Sequence, residues 1–301
     1  MGICIDGTGD IMAGIDYVKV SSFLFLKKHK ERTGNDSTGV LFNGYMTLLN
    51  RELLSRGIDI GLPHCWYRLG DEVVEDCMPF IDWGHEGISG KFVSYLGRPP
   101  QADSNDPVIG FVSEFADSFI DRCFGHSGPE EAIEGTYEYV PFRFQNDFRQ
   151  LRESLKIPRW NGPTHNRHGR IEDLFNKAVS SFPPEFGSIG LRFDEFKATF
   201  RLALSKNAPP NELFVISETF WFFFCYHLRL NSRCHENVPP STLEVWRQVL
   251  PEEEDKYRMF VENQAARYCD ASVDDPVINT LLRGRVLRQK ECDLLFTKVF
   301  G

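Results

Sequence analysis

Two thiols and two imidazoles fall within eleven residues of one another: Cys225, His227, Cys234 and His235, with Glu236 next in line. Thiolate and imidazole are the ligands zinc prefers, so these four residues form a candidate metal set. His227, Cys234 and His235 would then be the centre of a metal-assisted enzyme. The spacing argues for a plainer reading. Residues i and i+2 on a helix point about 200° apart, so Cys225 and His227 do not readily share an ion. The plainer alternative makes the aromatic run Phe220–Phe224 the core face of a central helix, with Cys234-His235 in the loop after it. No cofactor is expected.

A second chemistry is written in residues 143–170, which carry seven Lys/Arg (Arg143, Arg149, Arg152, Lys156, Arg159, Arg167, Arg170) and two acids, Asp147 and Glu153. Arg149, Arg152 and Lys156 recur at i, i+3 and i+7, the spacing of one helix face. Beyond them lie Trp160, His165 and His168. Cations beside an exposed aromatic are what a phosphate backbone or a nucleotide uses. Arg149, Arg152, Lys156, Arg159, Trp160, Arg167 and Arg170 are therefore the candidate binding residues. The competing reading is internal pairing, since residues 241–276 hold nine acids and four bases.

Other motifs carry less. His64-Cys65 opens a strand-like run, where neighbours face opposite sides and do not form a nucleophile–base pair. His85-Glu86 lies between glycines. Gly-x-Ser-x-Gly and His-Glu-x-x-His are absent. GTGDIMAG (7–14) resembles a phosphate loop only loosely, because no Lys or Ser/Thr follows at the right spacing. No catalytic residue is assigned.

The elements that must position these groups follow from periodicity. The chain has 301 residues, 42% apolar and 26% charged, with 26 Phe and a net charge of −9. That length supports one large domain or two modest ones. The negative balance argues against whole-surface nucleic-acid binding but leaves room for a local basic patch. Eight scattered cysteines without a CxxC read as reduced intracellular thiols. Together with the absence of a basic leader or a spanning apolar run, they give a cytoplasmic expectation and no membrane partner.

Residues 1–16 are read as a leader or disordered. Helices are expected at 17–33 and 39–56, with Gly57 as cap, then strands at His64–Leu69, Glu72–Val74 and Lys91–Leu96. Residues 17–100 thus outline a winged-helix-like module of two helices plus short β-strands. GRPPQADSNDP (97–107) reads as a linker, and residues 101–301 as an all-helical domain. Its helices start at Asp106-Pro107, near Pro141, and near 170, 192 and 211, at the Ser241/Glu244 capping box, and at Asp275-Pro276. The fold class is mainly α.

The strings GIDIGLPHCWYRLGDEVV (57–74), FWFFFCYHLRL and CHENVPP (220–240) resemble an uncharacterised family of archaeal proteins, which implies no activity and no functional residue. The layout of residues 17–74 is similar to the N-terminal part of Panacea-type antitoxin domains, with Cys65–Asp71 in place of their aromatic strand and turn. The leading expectation is a non-enzymatic regulatory or interaction protein that binds nucleic acid or a protein partner. The alternatives are an enzyme and a structural subunit, and the oligomeric state is open.

Overall fold

Short polar caps open the helices of this chain. The Asp16 carboxylate accepts from Lys19 N at 3.0 Å and starts α1 (Tyr17–Thr33). Thr38 accepts from Leu41 N at 3.3 Å and starts α2 (Gly39–Ser55). Asp106 accepts from Val108 N at 2.8 Å, with Pro107 at the first position of α3 (Pro107–Arg122). Each cap satisfies a backbone donor that the helix cannot satisfy itself. Gly34 and Gly57 end α1 and α2 at φ of 76° and 77°, left-handed values that cost a glycine nothing.

The computed structural model describes residues 16–84, 86–87, 90–101, 105–123, 129–156, 164–270 and 273–300. The protein is mainly helical, with small antiparallel sheets. The remaining helices are α4 (Pro129–Tyr137), α5 (Arg143–Lys156), α6 (Thr164–Ser180), α7 (Gly190–Ser205), α8 (Pro210–Leu228), α9 (Pro240–Tyr268) and α10 (Pro276–Phe300). The strands are β1 (Ser37–Thr38), β2 (His64–Trp66), β3 (Asp71–Val73), β4 (Ile81–Asp82), β5 (Glu86–Gly87), β6 (Gly90–Tyr95) and β7 (His235–Glu236). They form two sheets. One runs β1-β6-β4 with β5 also on β6, and the other runs β3-β2-β7.

The chain divides into two units. Unit 1 comprises residues 1–139 and 229–244, and unit 2 comprises residues 140–228 and 245–301. In unit 1, α1 packs on α3 and α2 on α4, while α2 also covers β3 and β6. The core between them holds Phe25, Phe42, Tyr45, Met46, Leu49 and Phe119. Phe25 stacks on Tyr45 with ring centroids 4.3 Å apart, and Phe119 meets both edge-on. Gly44 and Gly135 set the spacing of α2 and α4. A Cβ on Gly44 would lie 2.7 Å from the Ala132 methyl, and one on Gly135 would lie 3.0 Å from Leu48.

Unit 2 is organised around aromatic rings. α8 carries Phe220, Trp221 and Phe224, all fully buried, among Phe144 and Phe148 of α5 and Phe196 of α7. Phe148 stacks on Trp221 at 5.6 Å and Phe196 on Phe220 at 4.6 Å. Most of the chain's Phe residues belong to this unit. α10 packs on α7, and its Ile278 and Leu281 are buried.

Four expectations change. The linker reading of 97–107 described a connection inside unit 1, because the helix that follows it, α3, packs on α1. A helix that periodicity did not announce, α4, completes the same unit. The segment between α8 and α9 returns to unit 1, where β7 pairs with β2. α9 begins at Pro240, ahead of the expected cap Ser241, because proline suits the first helical position. The leader reading falls on residues outside the described ones, apart from Asp16.

Candidate functional site

Unit 1 carries a chain of charges through its small sheet. β2 places His64 at the centre, opposite Val73 of β3 and Glu236 of β7. The tight turn between β2 and β3 needs Gly70 at φ 149°, and it brings Asp71 back alongside His64. His64 Nδ1–H donates to Asp71 Oδ1 at 2.7 Å, and Nε2 lies 3.4 Å from Glu236 Oε2. The other Asp71 oxygen accepts from the Arg51 guanidinium of α2. That guanidinium in turn sits 4.9 Å from the Tyr139 ring centroid.

Burial alone would push the His64 proton off. The Asp71 and Glu236 carboxylates outweigh that effect and hold the imidazolium up to about 9. The hydrogen bond from His64, with its charge, keeps the Glu236 carboxyl below the usual range. The Asn50 amide nitrogen lies 3.5 Å from His64 Nε2, and the buried Asn50 Oδ1 has no partner among the described residues, so exchanging the two amide atoms would give the imidazolium a second acceptor.

The His64 ring is buried, its side chain 6% exposed, while Glu236 beside it is 57% exposed. Cys65 faces the other side of β2, and burial pushes its thiol well above the ordinary value, so it stays protonated. What the charges accomplish is attachment: they tie α2, β3 and β7 to one imidazole ring.

Arg51 has a second face, on a groove of about 600 Å³ between α2, α3 and α4. Leu48, Phe115 and Phe119 line it with apolar surface. Glu130 and Glu134 line it from α4, and Glu138, in the turn just after that helix, extends the i, i+4, i+8 spacing. Glu52 and Glu131 bring its carboxylates to five, against two guanidiniums, Arg51 and Arg122. Arg51 pairs with Asp71 and Glu52 pairs with Arg56 at 2.8 Å, and the remaining carboxylates still outnumber Arg122 in the lining. A volume of this size with an aromatic floor is typical of binding sites, which run to about 300–1,000 Å³.

The residues singled out from sequence are distributed differently. Arg152 is buried at 6% exposure, bonded to Glu218 of α8, with its guanidinium 5.1 Å from the Trp221 ring centroid. Its inward position follows from spacing: it lies four residues beyond Phe148, on the core side of α5. Lys156 is exposed and pairs with Glu153 at 3.0 Å. Arg149 is half-buried on α5, and Arg170 is exposed on α6. Arg167 belongs to α6, its side chain outside the described residues, as are Arg159, Trp160 and His85. Arg149, Arg152 and Lys156 therefore do not present one outward cationic face, because the middle member is committed to the core.

The four metal candidates belong to two different units. Cys225 and His227 lie on α8 in unit 2, and Cys234 and His235 lie at β7 in unit 1. Cys225 is fully buried, and His227 packs its ring 4.9 Å from Phe223, where burial lowers its proton affinity. The Cys234 carbonyl accepts from Trp66 N at 2.7 Å, and burial pushes its thiol up to about 12. Among the described residues, no three His, Cys, Asp or Glu side chains are grouped to hold a metal ion.

Sequence reasoning missed Arg51, Asp71 and Glu236 as partners of His64. A signal was present for Asp71, seven residues beyond His64 across a Gly turn. The acidic stripe of α4 was also legible at helical spacing, but only once α4 itself was assigned. The chain matches no family model, no curated protein and no solved structure.

Proposed function

We propose that the protein is a non-enzymatic interaction protein, and that it binds a cationic segment of a protein partner in the groove between α2, α3 and α4. The acidic stripe Glu130/Glu134/Glu138 above an aromatic floor carries this reading. Basic amphipathic helices bind in this manner, with apolar anchors seated in a groove and cations meeting its rim. The ion pairs of Arg152 and Lys156 favour a protein partner over nucleic acid, since those charges are already matched. The burial of His64 between Asp71 and Glu236 favours a positioning role over catalysis. The winged-helix-like description of residues 17–100, and the likeness to Panacea-type antitoxin domains, belong to this proposal. Two helices followed by short antiparallel strands support them.

The test is anisotropy with two labelled probes, a designed Leu/Lys amphipathic helix and a DNA duplex, at about 50 and 200 mM salt. The peptide binds, more weakly at the higher salt, and the Glu130→Lys/Glu138→Lys variant loses it. Salt-dependent DNA binding without peptide binding overturns the proposal in favour of the nucleic-acid reading.

A further inference from the structure

We infer that the cationic segment taken by the groove is helix α10 of a second copy of this chain. The inference rests on the groove being a binding site for a basic helix, and it names the occupant.

α10 has two faces. One holds Ile278 and Leu281, buried in unit 2, and Arg288, which clasps Glu262 with bonds of 2.7 and 3.0 Å. The opposite face carries Asn279, Leu282, Arg283, Val286 and Leu287, which line a shallow surface depression of about 620 Å³. These five recur at i, i+3, i+4, i+7 and i+8, the seam of a helix made to pack on a partner. Val286 and Leu287 are 53% and 61% exposed, so the apolar part of this seam is uncovered. Lys290 continues the same stripe, and residues 277–290 contain no acid.

Charge decides which surface covers the seam. Two α10 helices packed on each other would bring cations against cations, and like charges across a helical seam destabilise it. The groove offers the opposite chemistry. Leu282, Val286 and Leu287 would seat on Leu48, Phe115 and Phe119, and Arg283 and Lys290 would meet the Glu130 and Glu138 carboxylates. Reciprocal exchange closes as a dimer, whereas a one-way contact runs on through successive copies. Both raise the mass in solution.

Two measurements on the full chain test this. The first is molar mass by light scattering across protein concentration at low and high salt. The mass rises above 34.6 kDa with concentration at low salt and falls back at high salt. Arg283→Glu/Lys290→Glu and Glu130→Lys/Glu138→Lys each return it to the monomer value. The second is anisotropy of a labelled peptide of residues 276–290. It binds the wild-type chain, and binding weakens at least about tenfold in Glu130→Lys/Glu138→Lys. A monomer at every concentration, or a mass unchanged by either pair of substitutions, overturns the inference. If the 276–290 peptide fails while the designed Leu/Lys helix binds, the second-copy inference falls and the groove stands. If neither binds, both fall.

Discussion

His64 carries the most concentrated electrostatics in unit 1. Breaking a buried ion pair by removing one partner leaves the other uncompensated, at a cost of about 3–5 kcal/mol. Asp71→Ala strands both the His64 imidazolium and the Arg51 guanidinium, so chemical denaturation places it at the upper end of that range. The same geometry sets a pH dependence. The folded value of His64, about 9, lies above its ordinary 6.5. The folded state therefore holds the proton more tightly, and the stability it contributes is complete below about pH 6.5 and lost as pH rises through 9. Thermal melts between pH 7 and 10 should show a decline on the order of 1–3 kcal/mol that His64→Gln removes. An unchanged decline in that variant assigns the pH dependence to another group.

Among the helices, packing and propensity make opposed predictions that magnitude resolves. Gly44→Ala gains about 1 kcal/mol in helix propensity. It also drives a methyl to 2.7 Å from Ala132 on α4, and overpacking of this kind costs about 1–3 kcal/mol. The variant should be less stable than the wild type, and the groove bounded by α4 should bind the basic probe more weakly. In unit 2, Phe220→Ala removes a fully buried ring that touches Phe148, Phe193, Phe196 and Tyr257, at about 3–5 kcal/mol by denaturant melt. The helices were readable where caps and apolar stripes were strong, as at Asp106 and Asp275. α4 was not, because PEEAIEGTY (129–137) offers few apolar residues and is held by a close approach to α2 that spacing does not announce. β7 was hidden for a related reason: two residues pair only because β2, far away in sequence, presents an edge. The place of Arg152 four residues beyond Phe148 already put it on the core side of α5, and only its pairing with Glu218 of α8 is a tertiary fact.

For the whole molecule, the sequence pointed to a mainly helical chain, and the structure agrees. No described helix is long and apolar enough to cross a membrane. The division into units escaped the sequence because the chain leaves unit 1 at residue 139 and returns for residues 229–244, and no linker composition marks the return. The net charge of −9 is likewise a sum over unlike parts, with an acidic groove on unit 1 and a basic seam on α10 of unit 2. The most direct test of that complementarity mixes two variants that have each lost self-association, Arg283→Glu/Lys290→Glu and Glu130→Lys/Glu138→Lys, and follows molar mass by light scattering. The reversed α10 of one matches the reversed groove of the other, so the equimolar mixture should regain the mass that neither variant shows alone. A mixture that stays at the monomer mass contradicts the account.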